Sequence, residues 1–167
     1  EVWRARHQLL GRPAAIKLVH RNYLDDLPDE ERGRVLARFE REAQATASLA
    51  SPYTVRLYDY GVTEDGVVYY VMELLDGLDL EQLLRHHGPP PLGRVIHVLR
   101  QVCSSLAEAH DQQLVHRDIK PANVYVSRAG DEADIVKMLD FGLVQVQRSV
   151  VEEWGQSHGD RMTLTLV

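Results

Sequence analysis

Two runs near the start of the chain, residues 2–6 and 14–19, are strand-like, and Gly11-Arg12-Pro13 between them is a turn signal that predicts a hairpin. Along the second run Ala15, Lys17 and Val19 share one face while Ala14, Ile16 and Leu18 share the other. Lys17 is thus a charge in an otherwise apolar strand. Over residues 28–50 the pattern turns helical, opened by Asp29, Glu30 and Glu31, acids that the helix dipole favours in a first turn. Val35, Phe39, Glu42, Thr46 and Leu49 fall on one stripe of that helix, so Glu42 occupies a position where an apolar residue is expected. Residues 54–60 and 67–74 predict two strands around Glu64-Asp65-Gly66, the second rich in Val and Tyr and buried. Asp76-Gly77 breaks that run. Asp79 is placed to cap a short helix through Arg85, ended by Gly88 and three prolines. A longer helix is predicted over 92–111 with Ile96, Leu99, Cys103, Leu106 and His110 on one stripe, and a small hairpin over 124–127 and 135–139 turns at Ala129-Gly130-Asp131. Residues 145–160 show no steady period and read as a loop.

The stretch Leu-Val-His-Arg-Asp-Ile-Lys-Pro-Ala-Asn-Val-Tyr-Val, residues 114–126, sets His116, Arg117, Asp118, Lys120 and Asn123 between apolar flanks that look like core. A solvated loop would not need those flanks, and a buried strand would not tolerate those charges.

Composition narrows the classes. With 167 residues, 44% of them hydrophobic, the chain is globular and sized for one domain or part of one. A net charge of -6 and the lack of a run of five basic residues argue against a nucleic-acid or anionic-membrane surface. Cys103 is the single cysteine, which excludes an internal disulfide framework and fits a reducing, cytoplasmic setting. No apolar run approaches the roughly 20 residues of a membrane span. The first and last residues read as cut ends, so the expectation is a fragment.

Lys17 on a core strand and Glu42 on a core helix stripe are conflicts of opposite sign. Burying either alone is costly, and pairing them would remove much of the penalty. Asp118, Asn123 and Asp140 are oxygen-bearing side chains at the ends of apolar segments, hard ligands of the kind Mg²⁺ prefers, and Lys120 adds a cation beside Asp118. Taken singly, each has a plain explanation. Lys17 can snorkel, Glu42 can lie at a stripe's edge, and Asp118, Asn123 and Asp140 can form turns. Their order along the chain is what makes the set specific.

In that order the sequence resembles the protein kinase family. Ala14-Ala15-Ile16-Lys17 is similar to the family's strand motif V-A-I-K, and Glu42 falls in the following helix where the lysine's partner belongs. His116-Arg117-Asp118-Ile119-Lys120-Pro121-Ala122-Asn123 is similar to the catalytic loop, and Asp140-Phe141-Gly142 to the metal-binding motif. With Arg41-Glu42-Ala43-Gln44, the style resembles bacterial Ser/Thr kinases of eukaryotic type. The resemblance implies an α+β two-lobe fold in truncated form. Residues 1–75 would be an incomplete β-rich N-lobe with one regulatory helix, and 76–167 the first part of a mainly helical C-lobe. Neither the Gly-rich loop nor the A-P-E region is matched.

The resemblance further implies ATP and Mg²⁺ as cofactors and a Ser/Thr protein substrate. Lys17 would hold the α- and β-phosphates and pair with Glu42, Asp118 would accept the substrate hydroxyl proton, Lys120 would sit by the transferred phosphate, and Asn123 and Asp140 would hold the metal. Adenine would bond to the Glu73 carbonyl and Leu75 amide, with Met72 behind it, Val2 and Ala15 above and Tyr125 below, where the family usually has a smaller aliphatic residue. Asp79 would reach the ribose or cap its helix. His116 would pack under Phe141. Arg117 would receive a phosphorylated activation loop, with Thr163 and Thr165 as acceptors in autophosphorylation between associating copies. Two competing readings are a kinase-like small-molecule phosphotransferase, against which Lys120 and the full catalytic loop weigh, and a pseudokinase or nucleotide-binding scaffold, against which the intact set of charged residues weighs.

Overall fold

The computed structural model describes residues 1–19, 28–63, 66–129 and 132–141. Glu64, Asp65, Gly130, Asp131, Gly142, Thr163 and Thr165, and the loop expected over 145–160, lie outside these residues. The first sheet has four antiparallel strands in the order β1 (Val2–Arg6), β2 (Pro13–Val19), β4 (Val68–Glu73), β3 (Leu57–Val62). Helix α1 (Asp29–Ala47) covers it through a core of Phe39, Ala43, Val68 and Tyr70, in which the rings of Phe39 and Tyr70 lie 4.5 Å apart. Of the predicted stripe, Phe39 and Thr46 are almost fully enclosed and Val35 and Leu49 are partly buried. β1 is the edge strand, and Val2 is 64% exposed there.

The second sheet is a three-stranded antiparallel unit in the order β5 (Gly77–Asp79), β6 (Val124–Ala129), β7 (Glu132–Met138). Helices α2 (Leu80–His87) and α3 (Leu92–Asp111) accompany it. Asp79 caps α2 as expected, accepting the Gln82 amide at 2.8 Å, and Gly88 ends it. Val98, Val102, Ala109, Val124, Val136, Met138 and Phe141 form the second core.

Two expectations are corrected. The segment predicted as a strand over 54–60 divides: only from Leu57 does it join the first sheet, whereas Thr54 bridges to Met138 and the Val55 amide donates to the Met138 carbonyl at 2.9 Å. A buried 2.7 Å bond between the Thr54 and Ser105 hydroxyls holds this early part against α3. The apolar stripe assigned to α3 is also displaced. Ile96 and Leu99 are 51% and 52% exposed and Cys103 and His110 are exposed, while the face turned to the core carries Val98, Gln101, Val102, Ser105 and Ala109. Two of those core positions are polar, which hides the face from a hydrophobic count. Their polar groups bond to Thr54, Asp134 and Val136 of other segments rather than to water.

The sheets are joined by the segment between α1 and β3. The Glu108 carboxylate of α3 accepts the amides of Ala50 and Ser51 at 2.7 and 2.8 Å, and Leu49 packs against the second core. Together they make an α+β fold of two unequal parts meeting along residues 49–56 and the connector between β4 and β5.

Candidate active site

β2 brings Lys17 to the seam between the two sheets because its partner strands enclose it: the residue pairs with Val2 on one side and Tyr70 on the other. Its Nζ donates to Asp140 Oδ2 at 2.6 Å, a contact across 123 residues of sequence, with the two side chains 25% and 18% exposed. The partner expected for Lys17 was Glu42. That residue lies in α1, but its side chain falls outside what is described, so the pair described for Lys17 is the one with Asp140.

The stretch 114–126 resolves into three parts. Leu114 packs on the second core, a 3₁₀ turn forms over Pro121–Asn123, and β6 begins at Val124. Asn123 is buried and donates from Nδ2 to both the backbone oxygen and Oδ2 of Asp118, at 2.8 and 3.0 Å. Lys120 Nζ lies 2.8 Å from the same Oδ2. The loop is closed on Asp140 by the backbone, since the Leu139 amide donates to the Asn123 carbonyl at 2.9 Å. Asp118, Lys120 and Asn123 form one group of contacts and Lys17 with Asp140 another, and the Leu139–Asn123 backbone bond joins the two.

His116 is 1% exposed and lies 4.7 Å from the Phe141 ring, as expected. Its Nε2 is 2.8 Å from the Leu139 carbonyl, which can only accept, so Nε2 carries the proton; Nδ1 then accepts the Asp118 amide at 3.3 Å. Burial lowers its pKa, against smaller opposing effects of the Leu139 carbonyl and the charges of Asp140 and Asp118. A neutral imidazole is therefore a structural bracket between catalytic-loop and Asp-Phe-Gly segments. The backbone is strained on both sides of it: Arg117 has φ +63° and Asp140 φ +55°, left-handed values that non-glycine residues rarely adopt.

Of the residues expected around adenine, Ala15 is buried opposite Met72 across the β2–β4 ladder, and Glu73 ends β4. Leu75 follows in a segment outside any strand or helix. Tyr125 pairs with Asp79 in the β5–β6 ladder and its hydroxyl donates to the Gly77 carbonyl at 2.7 Å. Burial raises its pKa, helped by the charges of Asp76 and Asp79, and keeps that donor protonated. Asp79 has its side chain engaged at the helix cap.

Sequence reasoning missed Lys137. Its Nζ lies 2.8 Å from Glu73 Oε1, joining β7 to the end of β4. The signal was present, a lysine between Val136 and Met138 in an apolar strand, the same anomaly that marked Lys17.

A cation at the seam below an antiparallel sheet thus stands with two acids and an amide carried on two short connecting segments. The protein kinase domain family matches residues 1–160, and the chain belongs to that family. It is 38% identical over 149 residues to the serine/threonine-protein kinase Pkn3 of Myxococcus xanthus, covering 89% of this chain and 26% of that protein. It is 42% identical over 145 residues to the serine/threonine-protein kinase PknL of Mycobacterium tuberculosis, covering 86% of this chain and 33% of that protein. The chain therefore spans about a quarter to a third of these relatives. Among solved structures, a point mutant of the PknI kinase domain of Mycobacterium tuberculosis matches with a TM-score of 0.70 at 28% identity, over 85% of this chain and 54% of that one. Rad53 residues 1–466 in complex with AMP-PNP matches at 0.69 and 26% identity, over 85% and 34%. The fold is accordingly a partial kinase fold, part of the β-rich lobe and the beginning of the helical one.

Proposed function

We propose that the natural protein is a Ser/Thr protein kinase that transfers the ATP γ-phosphate to a protein hydroxyl. The observation that carries the reading is the 2.6 Å contact of Lys17 with Asp140, adjoining an Asp118 held by Asn123 and Lys120. Residues 1–75 and 76–167 are taken as the parts of the two lobes. Phosphoryl transfer asks the protein for positioning and charge neutralisation, and the contact chain supplies cations, an acceptor and oxygen ligands without a covalent nucleophile.

The donor set fits Mg²⁺. Asn123 spends its nitrogen on Asp118, which leaves its amide oxygen for a hard cation, and Asp140 has a second carboxylate oxygen beyond the one facing Lys17. When bound, the ion neutralises charge on the β- and γ-phosphates. Lys17 would hold the α- and β-phosphates, with Glu42 as its second partner. Asp118 would orient the substrate hydroxyl and take its proton, and Lys120, half-exposed beside it, would move from Asp118 to the transferred phosphate. The Glu73 carbonyl and Leu75 amide would bond adenine between Val2 and Ala15 above and Tyr125 below, with Met72 behind and Asp79 toward the ribose. Arg117, in the loop that resembles the catalytic loop, would receive a phosphorylated Thr163 or Thr165, and self-association would allow one copy to act on another. Among the described residues no helix is long and apolar enough to cross a membrane, and the site is assigned to the cytoplasm as the compartment that supplies Mg-ATP.

The test uses the full-length natural protein. Mg-ATP binds the parent, Asp140→Ala weakens binding at least about tenfold, and Asp118→Ala retains binding while slowing transfer to protein about 10²- to 10⁴-fold. Failure of the parent to bind Mg-ATP refutes the kinase reading. Binding with no transfer to protein in the parent identifies a nucleotide-binding scaffold, and transfer to metabolites alone a small-molecule phosphotransferase.

A further inference from the structure

Lys137 stands three residues before Asp140 and belongs to none of the motifs above. Its ammonium donates to Glu73 Oε1 at 2.8 Å, and the same oxygen accepts the Arg56 amide at 2.8 Å, while the Glu73 amide donates to the Arg56 carbonyl at 3.0 Å. Glu73 is therefore fixed by its backbone and its side chain at once. The pair is substantially enclosed, with side chains 17% and 21% exposed.

Residues 74–76 form no strand or helix, so their course is set by the anchors at their ends. At the far end the Asp76 carbonyl accepts the Arg128 amide at 3.1 Å and the Gly77 carbonyl accepts the Tyr125 hydroxyl at 2.7 Å. At the near end the anchor to the second sheet is Lys137. β7 and the residues after it thus meet the first part of the chain at three levels: Lys137 with Glu73, Met138 with Tyr53 and Val55, and Asp140 with Lys17. Residues 137–140, the end of β7 and its continuation, thus touch both the expected adenine end and the expected phosphate end of the site.

We propose that Lys137 is a positioning residue for nucleotide binding: by holding the Glu73 carboxylate it keeps the 73–75 backbone in the geometry that adenine requires. The proposal rests on the kinase reading given above. Without the ammonium, the carboxylate keeps only the Arg56 amide and lies beside a cleft of about 450 Å³ lined by Glu73, Leu74, Leu75, Arg128 and Lys137. That cleft shares Glu73 and Leu75 with the adenine-bonding segment but none of Val2, Ala15, Met72 or Tyr125, so a carboxylate turning into it for hydration draws the 73–75 backbone out of its geometry.

The test is Lys137→Met in the full-length natural protein. The KM for ATP and the Kd of adenosine each rise about five- to tenfold, kcat stays within about twofold, and inhibition by inorganic triphosphate is unchanged, because the damage is at the adenine end. Lys137→Arg, which keeps a cation within reach of Glu73, recovers most of the adenosine affinity. Equal adenosine affinity in parent and Lys137→Met overturns the proposal. So does a parallel fall in kcat and thermal stability that Arg fails to repair, since that is the mark of a purely structural residue. A parent that binds no nucleotide overturns the kinase reading, and the proposal with it.

Discussion

Gln101 offers the sharpest test of how the second sheet holds its functional strand. It is 6% exposed on the core face of α3, where an apolar residue would be expected. Its Oε1 accepts the Val136 amide at 3.0 Å and its Nε2 donates to the Asp134 carbonyl at 2.8 Å, with His97 Nε2 at 2.7 Å taking the second amide hydrogen. The carboxamide thus pairs with β7 as the peptide group of a further strand would, and caps its edge. Seven residues earlier on the same face, Arg94 grips the Asp134 carboxylate with two bonds of 2.6 and 2.8 Å. Gln101→Leu keeps the volume and removes both backbone partners. Val136 is fully buried, so its amide loses a bond that water cannot replace, at a cost near the middle of the roughly 1–3 kcal/mol range for an orphaned buried group. Asp134 is only half-buried, which puts its carbonyl at the low end, about 1 kcal/mol. Burying Leu instead of an amide returns part of this, so the net loss is about 2 kcal/mol. Gln101→Glu keeps the acceptor for Val136 but sets a carboxylate oxygen against the Asp134 carbonyl and buries a charge, so it is the worse variant of the two. Urea unfolding followed by tryptophan fluorescence measures both. A Gln101→Leu protein within about 0.5 kcal/mol of the parent, or a Gln101→Glu protein more stable than Gln101→Leu at neutral pH, refutes the edge-cap reasoning.

Two further outcomes follow from the same packing. Gly77→Ala drives a Cβ into the Val126 carbonyl oxygen and to 2.9 Å from the Ser127 Cα, at φ +155°, so β5 must part from β6; a loss of about 2 kcal/mol or more in thermal unfolding is expected, and a neutral substitution contradicts the close approach. His116 has a folded pKa below its ordinary 6.5, so the unfolded chain binds the proton first as pH falls. Its contribution to stability is therefore complete above about pH 6.5 and is lost as pH drops from there toward the folded value. The urea midpoint of the parent should fall between about pH 7.5 and about pH 5.5 more steeply than that of His116→Asn, and equal slopes would show that the buried imidazole is not the group responsible.

Much of the site was legible because charge is costly in apolar surroundings, and a chain that retains it there advertises a reason. Lys17 and Asp118 were marked by that conflict, and Asn123 and Asp140 by their oxygen donors at the ends of apolar segments; the structure pairs Lys17 with Asp140 and Asn123 with Asp118, and a Leu139–Asn123 backbone bond links the two pairs. The same logic would have marked Lys137, but its partner is a glutamate that first reads as the end of a strand. The helix α3 shows where the approach fails. Counting apolar residues selected Ile96, Leu99 and Cys103, because they are hydrophobic, and passed over Gln101 and Ser105, because they are not. Their bonds to Asp134, Val136 and Thr54 come from segments 33 to 51 residues away, and no local pattern encodes such partners.

By itself, then, the sequence determined most of the elements, their order and the identity of the chemical groups, since periodicity, caps and turn residues act over a few positions and are written locally, but it passed over β5, a three-residue strand that only its pairing with β6 defines. Asp79 caps α2 and residues 92–111 are helical for reasons visible within one or two turns. Only the tertiary structure decided which face of α3 is inside, that residues 54 and 55 belong with Met138, that Lys17 meets Asp140, and that Glu73 is tied to Lys137. Each of those depends on two distant segments sharing one desolvated space, where the free energy of a polar group is set by what stands opposite it and not by its neighbours in the chain.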